Sequence, residues 1–104
     1  MRFVYTRRMA TATATSLEHV LAALSDPVRM QIIRTLLAEE DGGRACGTFG
    51  LPVSKSTASH HFKVLREAGL IDQELVGRTR LIRLRRREIE KSYPGLLDLI
   101  TRAG

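Results

Sequence analysis

The stretch from Ser54 to Gly69 constrains the fold of this chain more than any other. Ser54 can cap a helix, because its hydroxyl accepts a bond from an otherwise unpaired first-turn amide. Gly69 stands where a left-handed residue closes one. Between them Ala58, Phe62 and Leu65 fall at i, i+4 and i+7, a single apolar stripe at helical period. The opposite face carries Ser56, Thr57, His60 and Lys63, short hydrogen-bonding groups and a cation. A helix buried on one side and rich in small donors on the other suits the major groove of DNA. Taken alone, the same pattern also describes an ordinary amphipathic surface helix.

The charge balance favours the first reading. Among 104 residues there are 17 Lys+Arg against 11 Asp+Glu, a net charge of +6. Such a surplus suits a polyanionic partner, either nucleic acid or an anionic membrane surface. Aromatic residues make up 5% and Trp is absent, which argues against stacking of single-stranded bases. Cys46 is the only cysteine, so no internal disulfide forms and a reducing compartment is expected. No apolar run approaches the ~20 residues of a membrane span. The N-terminal segment Met1–Arg8 lacks the ~7–15-residue apolar core of a signal peptide. A cytoplasmic, nucleoid-associated protein with no membrane partner is expected.

In chain order, residues 1–15 read as a flexible arm, since Ala10 to Thr15 alternates small residues with nothing large to bury. Residues 16–104 read as one domain. Ser16 opens a first helix with Leu17, Val20, Leu21 and Leu24 on one stripe, and Asp26-Pro27 caps and starts a second. That second helix carries Met30, Ile32, Ile33, Leu36 and Leu37 and stops at Gly42-Gly43. Residues 44–52 are expected to hold one short helix with Ala45 and Phe49 inward, weakened by Gly47, and then a turn. After Gly69, two β-prone runs, 70–76 and 79–85, flank Gly77-Arg78, where glycine suits a type II′ hairpin turn. Ile82 and Leu84 share one face of the second run, with Leu81, Arg83 and Arg85 on the other. A charged helix follows from Arg86. Pro94 interrupts it, and a last helix places Tyr93, Leu96, Leu97 and Ile100 on one stripe.

The whole is mainly α with a β-hairpin wing, a winged helix-turn-helix order. The apolar stripes of the first and last helices exceed what so small a core needs. The surplus, Leu17, Val20, Leu21 and Leu24 with Tyr93, Leu96, Leu97 and Ile100, is expected to form a homodimer seam.

Two blocks carry a family resemblance. Leu21-Ala-Ala-Leu-Ser-Asp-Pro-Val-Arg-Met-Gln-Ile-Ile33 and the run from Val53 to Ile71, with its Ser59-His60 pair and Ala68-Gly69-Leu70-Ile71 exit, resemble the ArsR/SmtB-type bacterial transcriptional repressors. The resemblance covers about residues 17–100. It implies a homodimer that binds double-stranded DNA at an inverted-repeat operator, with recognition helices in major grooves roughly 34–36 Å apart. Ser56, Thr57, Ser59 and His60 match positions that face bases. Ser54, Lys55, Lys63 and Arg66 match positions that meet backbone phosphate, and Arg78 and Arg80 on the wing would reach backbone or minor groove.

The chain departs from the family at its metal sites. Zinc takes three or four N, S or O ligands, yet Cys46 has no second thiol and residues 86–104 contain neither His nor Cys. His19 stands alone on the first helix. No metal and no cofactor is expected, and any effector, small molecule or protein, is unspecified by the sequence. Cys46 reads first as a small buried residue of the short helix; Arg44, two residues away, could lower its pKa, which leaves a thiol-responsive repressor as one alternative. Another is a winged-helix protein-interaction module without DNA binding, which would call for an acidic or apolar recognition face. The Arg83–Arg87 run could meet a membrane surface, but it lies on a hairpin rather than on an amphipathic helix. No catalytic constellation is present in the sequence, so enzymatic activity is not expected.

Overall fold

Three side-chain caps and one glycine bound the helices that matter. The computed structural model describes residues 6–8 as backbone, together with residues 16–40 and 43–104. Ser16 Oγ accepts from the His19 amide at 3.2 Å and opens α1 (Leu17–Leu24). Asp26 Oδ1 accepts from the Val28 and Arg29 amides at 2.8 and 3.1 Å, and Pro27 begins α2 (Pro27–Leu37). Ser54 Oγ accepts from the Thr57 amide at 3.2 Å and opens α3 (Lys55–Glu67). At the far end of α3 the Leu70 amide donates to the Leu65 carbonyl and the Gly69 amide to the Arg66 carbonyl, both at 3.0 Å. This paired closure places Gly69 at φ 78, a conformation that favours glycine. Leu65 and Leu70, the apolar pair that accompanies such a cap, are both buried.

The chain then turns into the wing, β3 (Ile71–Val76) and β4 (Thr79–Leu84). Val76 pairs with Thr79, so Gly77 and Arg78 form a two-residue loop, and Gly77 has the positive φ (62) that the turn needs. Gln73 lies opposite Ile82 and Ile71 opposite Leu84, which puts this side of the hairpin against the helices. On the other side Arg83 pairs with Glu74 at 3.5 Å and Arg85 with Asp72 at 3.7 Å. Short helices α4 (Arg86–Ser92) and α5 (Leu96–Arg102) complete the chain. The architecture is a winged helix-turn-helix.

Val20, Ile32, Leu65, Ile71 and Ile82 are wholly buried at the centre of the core, where α2 and α3 meet the sheet, α1 packs on both and α5 packs on α2. Truncating such a residue to Ala costs about 2–5 kcal/mol through lost transfer energy and the cavity left behind. Two arginines tie the elements together. Arg29 donates from Nε to the Ala23 carbonyl at 2.6 Å and from Nη1 to His61 Nδ1 at 3.1 Å, joining α1, α2 and α3. Arg86 Nη2 reaches the carbonyls of Leu36, Leu37 and Glu39 at 3.1, 3.0 and 2.7 Å, closing the C-terminus of α2 from the start of α4.

Three expectations change. Residues 44–52 do not form a short α-helix. Arg44–Ala45 is strand β2, paired with β4, and Cys46–Thr48 is a single 3-10 turn. Gly47 and the positive φ of Gly50 (63) deny that segment a regular helix, although Phe49 is buried as expected. The arm reading also fails for three residues. Thr6–Arg8 is strand β1, paired antiparallel with β3, so the sheet runs β1-β3-β4-β2. The rest of residues 1–15 lies outside the described residues. Finally, Tyr93 is not on the last helix. It sits in the break between α4 and α5, where Gly95 takes φ 90.

Candidate nucleic-acid interface

The α3 helix divides cleanly around its axis. Phe62, Leu65 and His61 are buried, whereas Lys55, Ser56, Thr57, Ser59, His60 and Lys63 are all exposed. Its 13 residues span about 20 Å at the usual helical rise, enough to lie along a major groove. Thr57 and His60 sit a turn apart on the outer face. Lys55, Ser56 and Ser59 occupy the flank that looks toward the wing, since the three line one cleft with Arg78 and Arg80.

Two of the residues expected to meet phosphate have structural work in this arrangement. Ser54 is the helix cap, and its hydroxyl also donates to Thr57 Oγ1 at 3.0 Å, which orients that side chain. Arg66 is half-buried and turns toward β3, with Nη1 3.4 Å from Gln73 Oε1. The other cations stay available. Lys63 makes only a loose contact with Glu67 at 3.9 Å, both groups being solvent-exposed, and such a pair contributes little. Among the described residues, no carboxylate lies within ion-pair distance of Lys55, Arg78 or Arg80.

The Arg83–Arg87 block behaves differently from a free basic patch. Arg83 and Arg85 are paired on the sheet and Arg86 is turned into the α2 terminus. Positive charge is therefore presented by α3 and the wing tip rather than by the whole hairpin.

The eight residues expected at a dimer seam separate into two groups. Val20, Leu24, Leu97 and Ile100 are at most 7% exposed and belong to the protomer's own core, so they are withdrawn from the seam. Leu17 and Leu21 are about half exposed, at 46% and 50%, while Tyr93 and Leu96 are partly covered. Leu99, 61% exposed, was not on the expected stripe. Its position three residues after Leu96 was the available signal.

Cys46 is half-buried. Burial pushes its thiol above the ordinary range, with the charges of Arg80 and Lys55 only partly opposing. Arg44, the cation that the thiol-sensor alternative would use, is engaged instead with Glu39 at 2.6 Å and with the Thr48 carbonyl. Among the described residues no group of three or more His, Cys, Asp or Glu side chains could hold a metal ion. No described helix is long and apolar enough to cross a membrane.

An exposed polar helix face, braced by a preceding helix and flanked by a basic hairpin, defines a helix-turn-helix DNA-binding domain. A family model for the helix-turn-helix domain matches residues 24–74, from the end of α1 into β3. The uncharacterized HTH-type transcriptional regulator YceK of Bacillus subtilis (strain 168) is 40% identical over 85 residues, 78% of this chain and 82% of its own length. The chain belongs to the helix-turn-helix family of transcriptional regulators, whose partner is DNA.

Proposed function

We propose that this chain is a homodimeric repressor of the ArsR/SmtB type, acting without a metal on an inverted-repeat operator. The observation that carries the reading is the continuous exposed surface of α3 and the wing tip, which offers donors and cations with no carboxylate paired to Lys55, Arg78 or Arg80 among the described residues. Thr57 and His60 read base edges from the outer face of α3, with Ser56 and Ser59 beside them. Lys55, Lys63, Arg78 and Arg80 hold the backbone, which fixes register without reading sequence.

The dimer seam in this reading uses the apolar side chains left outside the core, Leu17 and Leu21 on α1 and Leu99 on α5, with Tyr93 and Leu96 partly covered beside them. The raised thiol of Cys46 speaks against a thiolate-based trigger, since the thiolate is the reactive form. Fluorescence anisotropy with a duplex from the protein's own upstream region, at moderate salt, tests the reading. Saturable binding of two protomers per site, tighter than to random duplex, is expected. Indifference between the two duplexes would contradict it.

A further inference from the structure

Between α3 and the wing lies an open cleft of about 820 Å³. Its floor is apolar. Leu51, Val53 and Ala58 form its partly exposed surface, over the buried rings of Phe49 and Phe62, which meet edge to face with centroids 5.2 Å apart. The rim is cationic, formed by Lys55 on α3 and by Arg78 and Arg80 on the wing, and among the described residues no acidic one lines the cleft. The first-turn amides of α3 add to this field, because those of Lys55 and Ser56 have no partner within the helix. A DNA backbone passing over the rim would satisfy the cations but leave the apolar floor unused.

A ligand that uses both parts needs a negative group and a flat apolar body. We propose that this cleft binds a small aromatic carboxylate, and that its binding releases DNA. The release half rests on the DNA-binding reading above, since the carboxylate takes the cations assigned there to phosphate. Competition then requires no long-range change of shape. The ligand occupies the space between recognition helix and wing and neutralises the charges that flank it.

Cys46, half-buried in the cleft wall, is a built-in reporter of occupancy. The test titrates 2-naphthoate and its neutral counterpart 2-naphthalenemethanol into the intact protein by calorimetry. Iodoacetamide alkylation of Cys46 and displacement of the upstream duplex are followed in parallel. Naphthoate is expected to bind about tenfold more tightly than the alcohol, as a few exposed charge contacts allow. It should slow Cys46 alkylation and displace the duplex at constant ionic strength. Gly47 lines the cleft, and a Cβ built there meets nothing within 4 Å. Gly47→Leu should therefore weaken naphthoate binding while DNA binding persists. Equal affinity for the two probes, or naphthoate binding that leaves alkylation unchanged, would overturn the cleft assignment. DNA binding that naphthoate cannot reverse would overturn release alone. Failure to bind the duplex even without probe would sink the DNA-binding reading, and release with it, while calorimetry and alkylation still decide the cleft.

Discussion

Replacing Arg86 with Met tests how the wing is anchored to the helix that braces α3. Its Nη2 group lies within 3.1 Å of three carbonyls at the end of α2. An NH₂ group has two hydrogens, so the three contacts amount to about two charge-assisted bonds, each worth roughly 1.5–3 kcal/mol when fully made. The site is only part-buried and water can replace some of the loss, while Met keeps the apolar stem. The expected destabilisation is therefore about 2–3 kcal/mol, a large share of the ~5–15 kcal/mol typical of a domain. In a chain of this size that lowers the melting temperature by roughly 10–20 °C. Thermal unfolding at matched protein concentration measures it, since assembly would otherwise shift the midpoint. Arg86→Lys should recover about half, because one ammonium can still address a carbonyl pair. The neighbouring Arg87 is exposed, and Arg87→Met should stay within about 0.5 kcal/mol of the parent. An Arg86→Met chain as stable as the parent, or an Arg87→Met chain as unstable as Arg86→Met, would refute the capping account.

Other outcomes follow from the same geometry. Arg78→Ala with Arg80→Ala should weaken binding to operator and random duplex alike. The dependence of log K on log salt should flatten by about 0.9 for each phosphate that the protein no longer neutralises. An unchanged salt slope would remove the wing from the interface. On the proposed homodimer, Leu21→Glu or Leu99→Glu should yield monomers in sedimentation equilibrium without unfolding the chain, because both side chains are exposed on the protomer. A persistent dimer would place the seam elsewhere. Asp26 is held below its ordinary value of 3.8, chiefly by the hydrogen bond from the Arg29 amide and also by that from Val28, against a smaller effect of burial. A depressed carboxylate contributes stability above its unfolded pKa and loses it as pH falls through the folded value. Asp26→Asn, which retains the cap geometry, should therefore lose less stability than the parent below about pH 4, as read by denaturant unfolding across pH.

Local chemistry was legible in the sequence and long-range pairing was not. Ser16, Asp26, Ser54, Gly69 and Gly77 announce their caps and turns because each acts on neighbours within a few residues. Strand β1 carries no such signal. Its three residues are fixed by pairing with Glu74, Leu75 and Val76, far along the chain. The same holds for Arg44 and Ala45, which are extended because Ile82 and Leu81 lie beside them. On α1 the periodicity marked an apolar stripe but not which side of it meets the core. Packing rotates Ala23 inward and leaves Leu17 and Leu21 outside. The engagement of the Arg83–Arg87 run was not legible, because the Glu74 and Asp72 partners and the α2 carbonyls are visible only in three dimensions. The recognition face itself was readable, since capping and helical period together decide which residues of α3 point outward.

The most direct test of the central claim is whether the outer face of α3 reads sequence. Dissociation constants for Thr57→Ala and His60→Ala should be measured on the upstream operator and on a random duplex at one salt concentration. Each variant should bind the operator about tenfold or more weakly, the usual cost of removing one hydrogen bond to a base edge, and stay within about twofold on random DNA. Equal weakening on the two duplexes would contradict base reading by α3.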